Sequence, residues 1–97
     1  MRPSEALRSH EGDIRRVVEI HGACNPRIFG SVALGCDTAE SDLDLLVDPI
    51  EGKTTLISLV RIKRELESLL GVRMDILTPM ALHERFRATV LAEAKPL

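Results

Sequence analysis

Two short segments of this chain carry residue types that do chemistry at usable spacings. In Gly30-Ser31-Val32-Ala33-Leu34-Gly35, two glycines and a serine follow directly on the apolar pair Ile28-Phe29. The backbone can turn sharply there and present N–H groups to an anion. The second segment is Ser41-Asp42-Leu43-Asp44-Leu45-Leu46-Val47. On an extended strand residues i and i+2 point the same way, so Asp42 and Asp44 place two carboxylates on one face at the mouth of an apolar run. Such a pair repels itself unless a cation lies between its members. A hard divalent ion takes oxygen ligands and keeps substrate phosphates in its remaining positions. A Gly-Ser turn alone is common between elements, but the stretch from Ser31 to Asp42 is long enough for a turn and a returning strand. Together the segments suit one task, the handling of a nucleoside triphosphate with magnesium.

A third carboxylate belongs with them if the strands lie in the right order. Asp75 alternates with Met74 and Ile76 in Val72-Arg73-Met74-Asp75-Ile76-Leu77, and beside the strand of Asp44 it would reach the same spot. Three acids around one or two magnesium ions would clamp a triphosphate and acidify an attacking hydroxyl. An aspartate inside Leu43-Asp44-Leu45-Leu46-Val47 is costly to bury without a cation or other partner, which argues against Asp44 as a mere turn residue. Asp37, Glu40 and Asp48 sit in polar stretches and read as solvated charges. His10, His21 and His83 are not clustered at ligand spacing and receive no catalytic role. Lys53, Arg61, Lys63, Arg64 and Arg73 could steer an anionic nucleotide, although a solvated helix face explains them more simply.

The elements that must position these residues follow from the apolar periodicity. Ser4 to His21 reads as a helix, with Leu7, Ile14, Val17, Val18 and His21 along one stripe, Gly12 weakening its middle and Gly22 ending it. Arg27-Ile28-Phe29 is a short strand delivering the chain to the glycine loop, and Ser31 to Leu34 forms one helical turn before Gly35. Leu43 to Val47 is too apolar to alternate cleanly and suits a central strand covered on both sides. Leu56, Leu59, Ile62, Leu66 and Leu69 repeat at helical spacing until Gly71. Val72 to Leu77 is the third strand. Thr78-Pro79 starts a last helix with Leu82, Phe86 and Val90 inward, ending near Lys95-Pro96. The expected fold is α/β (α+β): a small mixed three-stranded sheet packed by helices, in one domain over residues 1–97.

Composition narrows the function classes. The chain has 97 residues, near the size where a single core suffices, with two Phe and no Trp or Tyr. Aromatic platforms for stacking single-stranded nucleic acid are therefore nearly excluded. A formal net charge of -2 gives no electrostatic footprint for a duplex, so no direct nucleic-acid binding is expected. Cys24 and Cys36 lack metal-ligand spacing and read as free thiols of a reducing compartment. No apolar stretch is long enough to span a membrane, and Met1-Arg2-Pro3-Ser4-Glu5 runs into charged residues rather than a signal-peptide core. A cytoplasmic protein without membrane association is expected.

Gly30-Ser31, Ser41-Asp42-Leu43-Asp44 and the later Asp75 together resemble the signature of the DNA polymerase β-type nucleotidyltransferase superfamily in its smallest prokaryotic form. The run from Phe29 to Val47 is similar to the MNT-domain proteins encoded beside a HEPN-domain partner. The resemblance implies a polymerase β-like nucleotidyltransferase fold in which Gly30 and Ser31 contact the donor triphosphate. It implies further that Asp42 and Asp44 bind Mg2+, and that Asp75 completes the metal and catalytic site beside the acceptor hydroxyl. It also implies an antitoxin of a type VII-like HEPN/MNT toxin–antitoxin pair, which transfers AMP from ATP to a tyrosine hydroxyl of the HEPN ribonuclease toxin and forms a hetero-oligomer with it. The family often carries arginine where this chain has Leu34, so one contact to phosphate or to the neighbouring acids is absent. Two alternatives accompany this reading: a module that neutralises the toxin by binding alone, and a small-molecule adenylyltransferase, against which the lack of an obvious second domain argues.

Overall fold

The computed structural model describes residues 2–97, whose elements form a four-stranded mixed sheet with helices on both faces. In chain order these are α1 (Pro3–Ile20), β1 (Ala23–Phe29), α2 (Gly30–Leu34), β2 (Leu43–Pro49), α3 (Leu56–Leu70), β3 (Met74–Leu77), a 3-10 turn (Pro79–Ala81), α4 (Glu84–Glu93) and β4 (Lys95–Pro96). The strand order is β3-β2-β1-β4. β1 pairs antiparallel with both β2 and β4, while β2 and β3 run parallel, as a strand pair joined by a crossover helix requires.

Alternation along the central strands sorts their side chains into two unequal cores. Leu43, Leu45 and Val47 of β2, with Ile28 and Met74, join Ile14 and Val18 of α1 and Ile62, Leu66 and Leu70 of α3 in one large apolar cluster. Phe29 and Leu46 point the other way and meet Leu82, with Leu77, Val90 and Ala94 packed against them. β2 is therefore covered on both sides, as its near-continuous apolar run demands. The polar positions left on the smaller side are the ones that matter for chemistry.

Several elements differ from the sequence expectation. The sheet has four strands instead of three, because Lys95-Pro96, read as a helix end, pairs with Ile28 and Arg27. Proline is tolerated there because an edge strand can spare its missing donor. β1 begins at Ala23, four residues before the expected Arg27, and absorbs Asn25-Pro26 in a register shift between Cys24 and Arg27. α1 kinks at His10, two residues before the glycine expected to weaken it. On α3 the buried stripe is Ile62, Leu66 and Leu70, with Leu59 partly covered; Leu56 is 79% exposed and Leu69 also faces outward. The last helix starts at Glu84, where the His83 ring accepts from the Arg85 N–H at 3.1 Å. Leu82 thus precedes the helix, the 82/86/90 stripe is not one helical series, and Phe86 is 57% exposed.

Asp37 and Asp48 are not free solvated charges. Asp37 is the one buried charged residue described, and its carboxylate accepts the Ser4 N–H at the start of α1 at 3.0 Å. That bond satisfies an orphan donor of the first turn and ties the loop before β2 to α1. Asp48 accepts from Arg27 at 3.0 Å and from Asn25 at 2.9 Å across the β1–β2 ladder. Cys24 and Cys36 are free thiols. Among the described residues no helix is long and apolar enough to cross a membrane.

The Ser4 N–H holds the Asp37 carboxyl below its ordinary value. A lowered acid stabilises the fold above its unfolded value and loses that contribution as pH falls through the folded one. Asp37→Ala should therefore cost about 1 kcal/mol at pH 7, the typical worth of a helix cap. The difference from the parent protein should narrow below about pH 4. Thermal unfolding of both proteins across pH measures it, and an equal midpoint at pH 7 would refute the tie.

Candidate active site

The two segments singled out by the sequence meet where β1 ends and where β2 and β3 begin. Register places Phe29 opposite Asp44, and Asp44 beside Asp75. Asp42 and Asp44 have the parity of Leu46, and Asp75 has that of Leu77, so all three carboxylates lie on the α4 side of the sheet. Asp44 stands in the middle of this row. Asp42 is half-buried just before β2, and Asp75 is exposed on the outer strand.

Gly30 brings the phosphate-type turn against this row. Its φ is +73°, which a side chain would strain, and a Cβ built on it would overlap the Asp44 Oδ2. The carboxylate of Asp44 thus occupies the space that any other residue at position 30 would need. From Gly30 the chain enters α2 with no side-chain cap on its first turn, so Gly30 and Ser31 offer backbone donors beside the acids. Gly35, in the left-handed region, closes α2, and the Cys36 N–H bonds the Ser31 carbonyl at 3.0 Å. Leu34 is 61% exposed at the end of this turn.

Asp44 is the perturbed member of the row. Burial pushes the Asp44 carboxyl up to about 6, assisted by the like charge of Asp75, a hydrogen bond shared with Asp75 and the charge of Asp42. Asp42 has a different neighbour: Arg73 Nε lies 3.2 Å from Asp42 Oδ1. The contact is not aligned as a hydrogen bond, and that oxygen is buried without a hydrogen-bond partner among the described residues. Next to it Ala39, Glu40, Ser41, Gly71, Val72 and Arg73 line a groove of about 400 Å³. A separate cleft of about 380 Å³, between the end of α1 and the start of α3, contains none of the expected site residues.

These residues fit a divalent cation. The donors are all carboxylate oxygens, one of them buried without a hydrogen-bond partner, and burial together with the neighbouring like charges makes the central carboxyl a weaker acid. Among the described residues no three His, Cys, Asp or Glu side chains are grouped so as to hold a metal ion by themselves, so Asp42, Asp44 and Asp75 do not form a ready-made three-ligand site. A magnesium ion needs only one or two carboxylates when substrate phosphates complete its shell. Arg73 is the neighbour that sequence reasoning set aside. Its signal was positional: it stands two residues before Asp75, as Asp42 stands two before Asp44, so parallel pairing sets the two rows side by side.

Two predictions come from this geometry. Gly30→Ala should destabilise the protein by about 1–3 kcal/mol, whereas Gly35→Ala, with equal φ strain but open space around its Cβ, should cost less. Equal losses in denaturant unfolding would mean that Asp44 does not press on Gly30. The second concerns pH. An acid raised in the folded state binds more protons there than in the unfolded chain, so stability falls as pH rises from about 4 to about 6. Above that window Asp44→Asn should be more stable than the parent by about 1–2 kcal/mol, after allowance for partial solvent screening. The gain should disappear at pH 4, and a gain independent of pH would contradict the assignment.

The chain is similar to known proteins over most of its length. The family described as nucleotidyltransferase domain matches residues 24–97. A Methanocaldococcus jannaschii protein named as a protein adenylyltransferase is 41% identical over 83 residues, 82% of this chain and 88% of its own length. The protein adenylyltransferase MntA of Thermococcus cleftensis is 33% identical over 87 residues, 90% of this chain and 84% of its own. Among solved structures, one described as a minimal nucleotidyltransferase aligns with a TM-score of 0.85 at 47% identity, covering 97% of this chain and 95% of that one. A chain from a toxin–antitoxin structure with AMP-PNP shares the fold, with a TM-score of 0.74 at 19% identity over 89% of this chain and 70% of that one.

Proposed function

We propose, from the premise that the chain belongs to the nucleotidyltransferase domain family, that it is a Mg2+-dependent protein adenylyltransferase serving as the antitoxin of a HEPN-type toxin. The observation that carries the reading is the seating of the Asp44 carboxylate against Gly30, which unites a phosphate-binding turn and an acidic row in one site. The names of its relatives support protein as the acceptor class. The toxin partner and the tyrosine hydroxyl are what the resemblance to MNT-domain proteins implies.

In this reading the backbone N–H groups of Gly30 and Ser31 hold the triphosphate of ATP, and the hydroxyl of Ser31 adds a further donor. Asp42 and Asp44 hold Mg2+, with Asp75 completing the set. Bound there, the cation would neutralise the phosphates and acidify the acceptor hydroxyl. Asp44 must be ionised to serve; burial and its acidic neighbours raise its carboxyl to about 6 in the metal-free protein, and a bound cation would lower it again. The acceptor oxygen attacks the α-phosphorus, the bond to the bridging oxygen breaks, and pyrophosphate leaves. Asp75, exposed at the outer end of the row, meets the incoming hydroxyl and lies nearest its departing proton. Asp75 is exposed on the outer strand, which suits an acceptor carried on a protein surface.

Exposed Leu34, standing where the resembling family often has arginine, favours one second reading: a module that silences the toxin by occlusion, with weak catalysis. The two separate in one experiment. The co-expressed HEPN partner is incubated with this protein, ATP and Mg2+, and its intact mass is measured beside an Asp42→Ala, Asp44→Ala control. Added AMP units on the toxin that vanish in the control are expected, with loss of transfer of at least about 100-fold. A stable complex with no mass change would replace transfer by occlusion.

A further inference from the structure

The acidic row contains one residue that a metal-binding row does not need. Asp42 and Arg73 each stand immediately before a strand, and the register Leu43 to Met74 sets them side by side, as Asp44 and Asp75 are set one step further on. The Leu43 N–H donates to the Arg73 carbonyl at 2.9 Å, so the backbone of Arg73 is pinned to the start of β2. Its side chain is free by contrast, 78% exposed along the groove that Ser41 also lines. The guanidinium meets Asp42 Oδ1 at 3.2 Å without the alignment of a hydrogen bond, far from the bidentate fork that arginine makes with a carboxylate in a committed pair.

We propose that Arg73 is a built-in, exchangeable counter-cation for Asp42: it occupies the charge position of the metal in the nucleotide-free protein and passes to the nucleotide phosphates when metal and nucleotide enter together. The inference rests on the reading that Asp42 and Asp44 hold a divalent ion. One guanidinium against three carboxylates leaves the row under-neutralised, so the site still attracts a divalent cation. A cation arriving alone must take Asp42 from Arg73 and then sit beside that positive charge. A cation arriving with a triphosphate supplies the guanidinium with new anionic partners a side-chain length away. Because an exposed ion pair is worth little, the exchange is cheap. The site thereby favours metal–nucleotide over free metal, and Arg73 is a positioning residue for Asp42 before loading and a phosphate contact after it.

The test uses Mn2+ as the probe for the metal, followed by electron paramagnetic resonance without nucleotide, and calorimetry of Mg2+·ATP without acceptor. Arg73→Ala should bind free Mn2+ about 2- to 5-fold more tightly than the parent, the span that an exposed ion pair is worth. It should bind Mg2+·ATP more weakly by a similar factor, with Arg73→Lys between the two. Opposite signs for metal and metal–nucleotide are the signature, since a structural defect would weaken both. If the parent binds Mn2+ through Asp42, shown by loss in Asp42→Asn, and Arg73→Ala binds it equally, the counter-cation role is overturned while the metal site stands. If neither the parent nor Arg73→Ala binds Mn2+, the metal reading of Asp42 and Asp44 falls and the role of Arg73 falls with it.

Discussion

The contact on which the rest of this structure depends is that of the Asp44 carboxylate with the bare Cα of Gly30. It joins the end of one strand to the start of its neighbour, and it leaves no room for a side chain at the turn. Its consequences run in both directions. The chain must leave β1 with a positive φ, and it enters α2 with no side-chain cap on the first turn. The carboxylate, pressed against backbone and flanked by Asp75, loses solvent and rises to about 6. The Gly30 turn and the Asp44 carboxylate, the two parts that the proposed function assigns to phosphate and to metal, are therefore one packing unit.

The price of that unit is visible in how the two faces of the sheet are used. On the side of α1 and α3 every inward position of β2 is aliphatic, and the cluster there holds most of the buried side chains. On the opposite side Asp42, just before β2, is followed by Asp44, Leu46 and Asp48 within it, leaving only Leu46 for a core completed by Phe29 and Leu82. The larger face fixes the register, since a slip by one residue would turn Leu43, Leu45 and Val47 outward. Three like charges can then be held together on the smaller face by the packing of the larger one.

Much of this was legible from residue types. The aspartates at i and i+2, the glycine and serine after an apolar pair, and the alternation around Asp75 each encode a local rule with one outcome, and the structure brings Gly30, Asp42, Asp44 and Asp75 to one strand end. The one-turn α2 follows from an equally local signal, whereas the sequence left strand order open and the structure supplies the parallel β2–β3 pair. What stayed hidden depended on distant partners. Asp37 reads as a loop charge until α1 brings the Ser4 N–H to it. Lys95-Pro96 reads as a terminus until β1 offers it an edge. Leu69 and Leu70 are both apolar, and only the approach of α3 to the sheet decides that Leu70 goes inside. Phe86 was misplaced because His83, a poor helix-start signal in sequence, restarts the helix after Leu82.

Arg73 belongs to the same class of distant effects, and it shows why the acids alone do not describe the site. A row of three carboxylates without a cation would repel itself throughout the life of the nucleotide-free protein, and the smaller core has little burial to set against that repulsion. A covalently attached cation in the neighbouring row relieves part of it at Asp42, yet the misaligned 3.2 Å contact and the exposed side chain leave the relief reversible. A buried, bidentate arginine would neutralise Asp42 better and would also withhold it from any metal, because breaking such a pair costs several kilocalories per mole, on the order of 3–5 kcal/mol. The site thus sits between two failures, an acidic row too repulsive to hold its shape and one too well paired to take its ion. The loose geometry of the Asp42–Arg73 pair is what keeps it there.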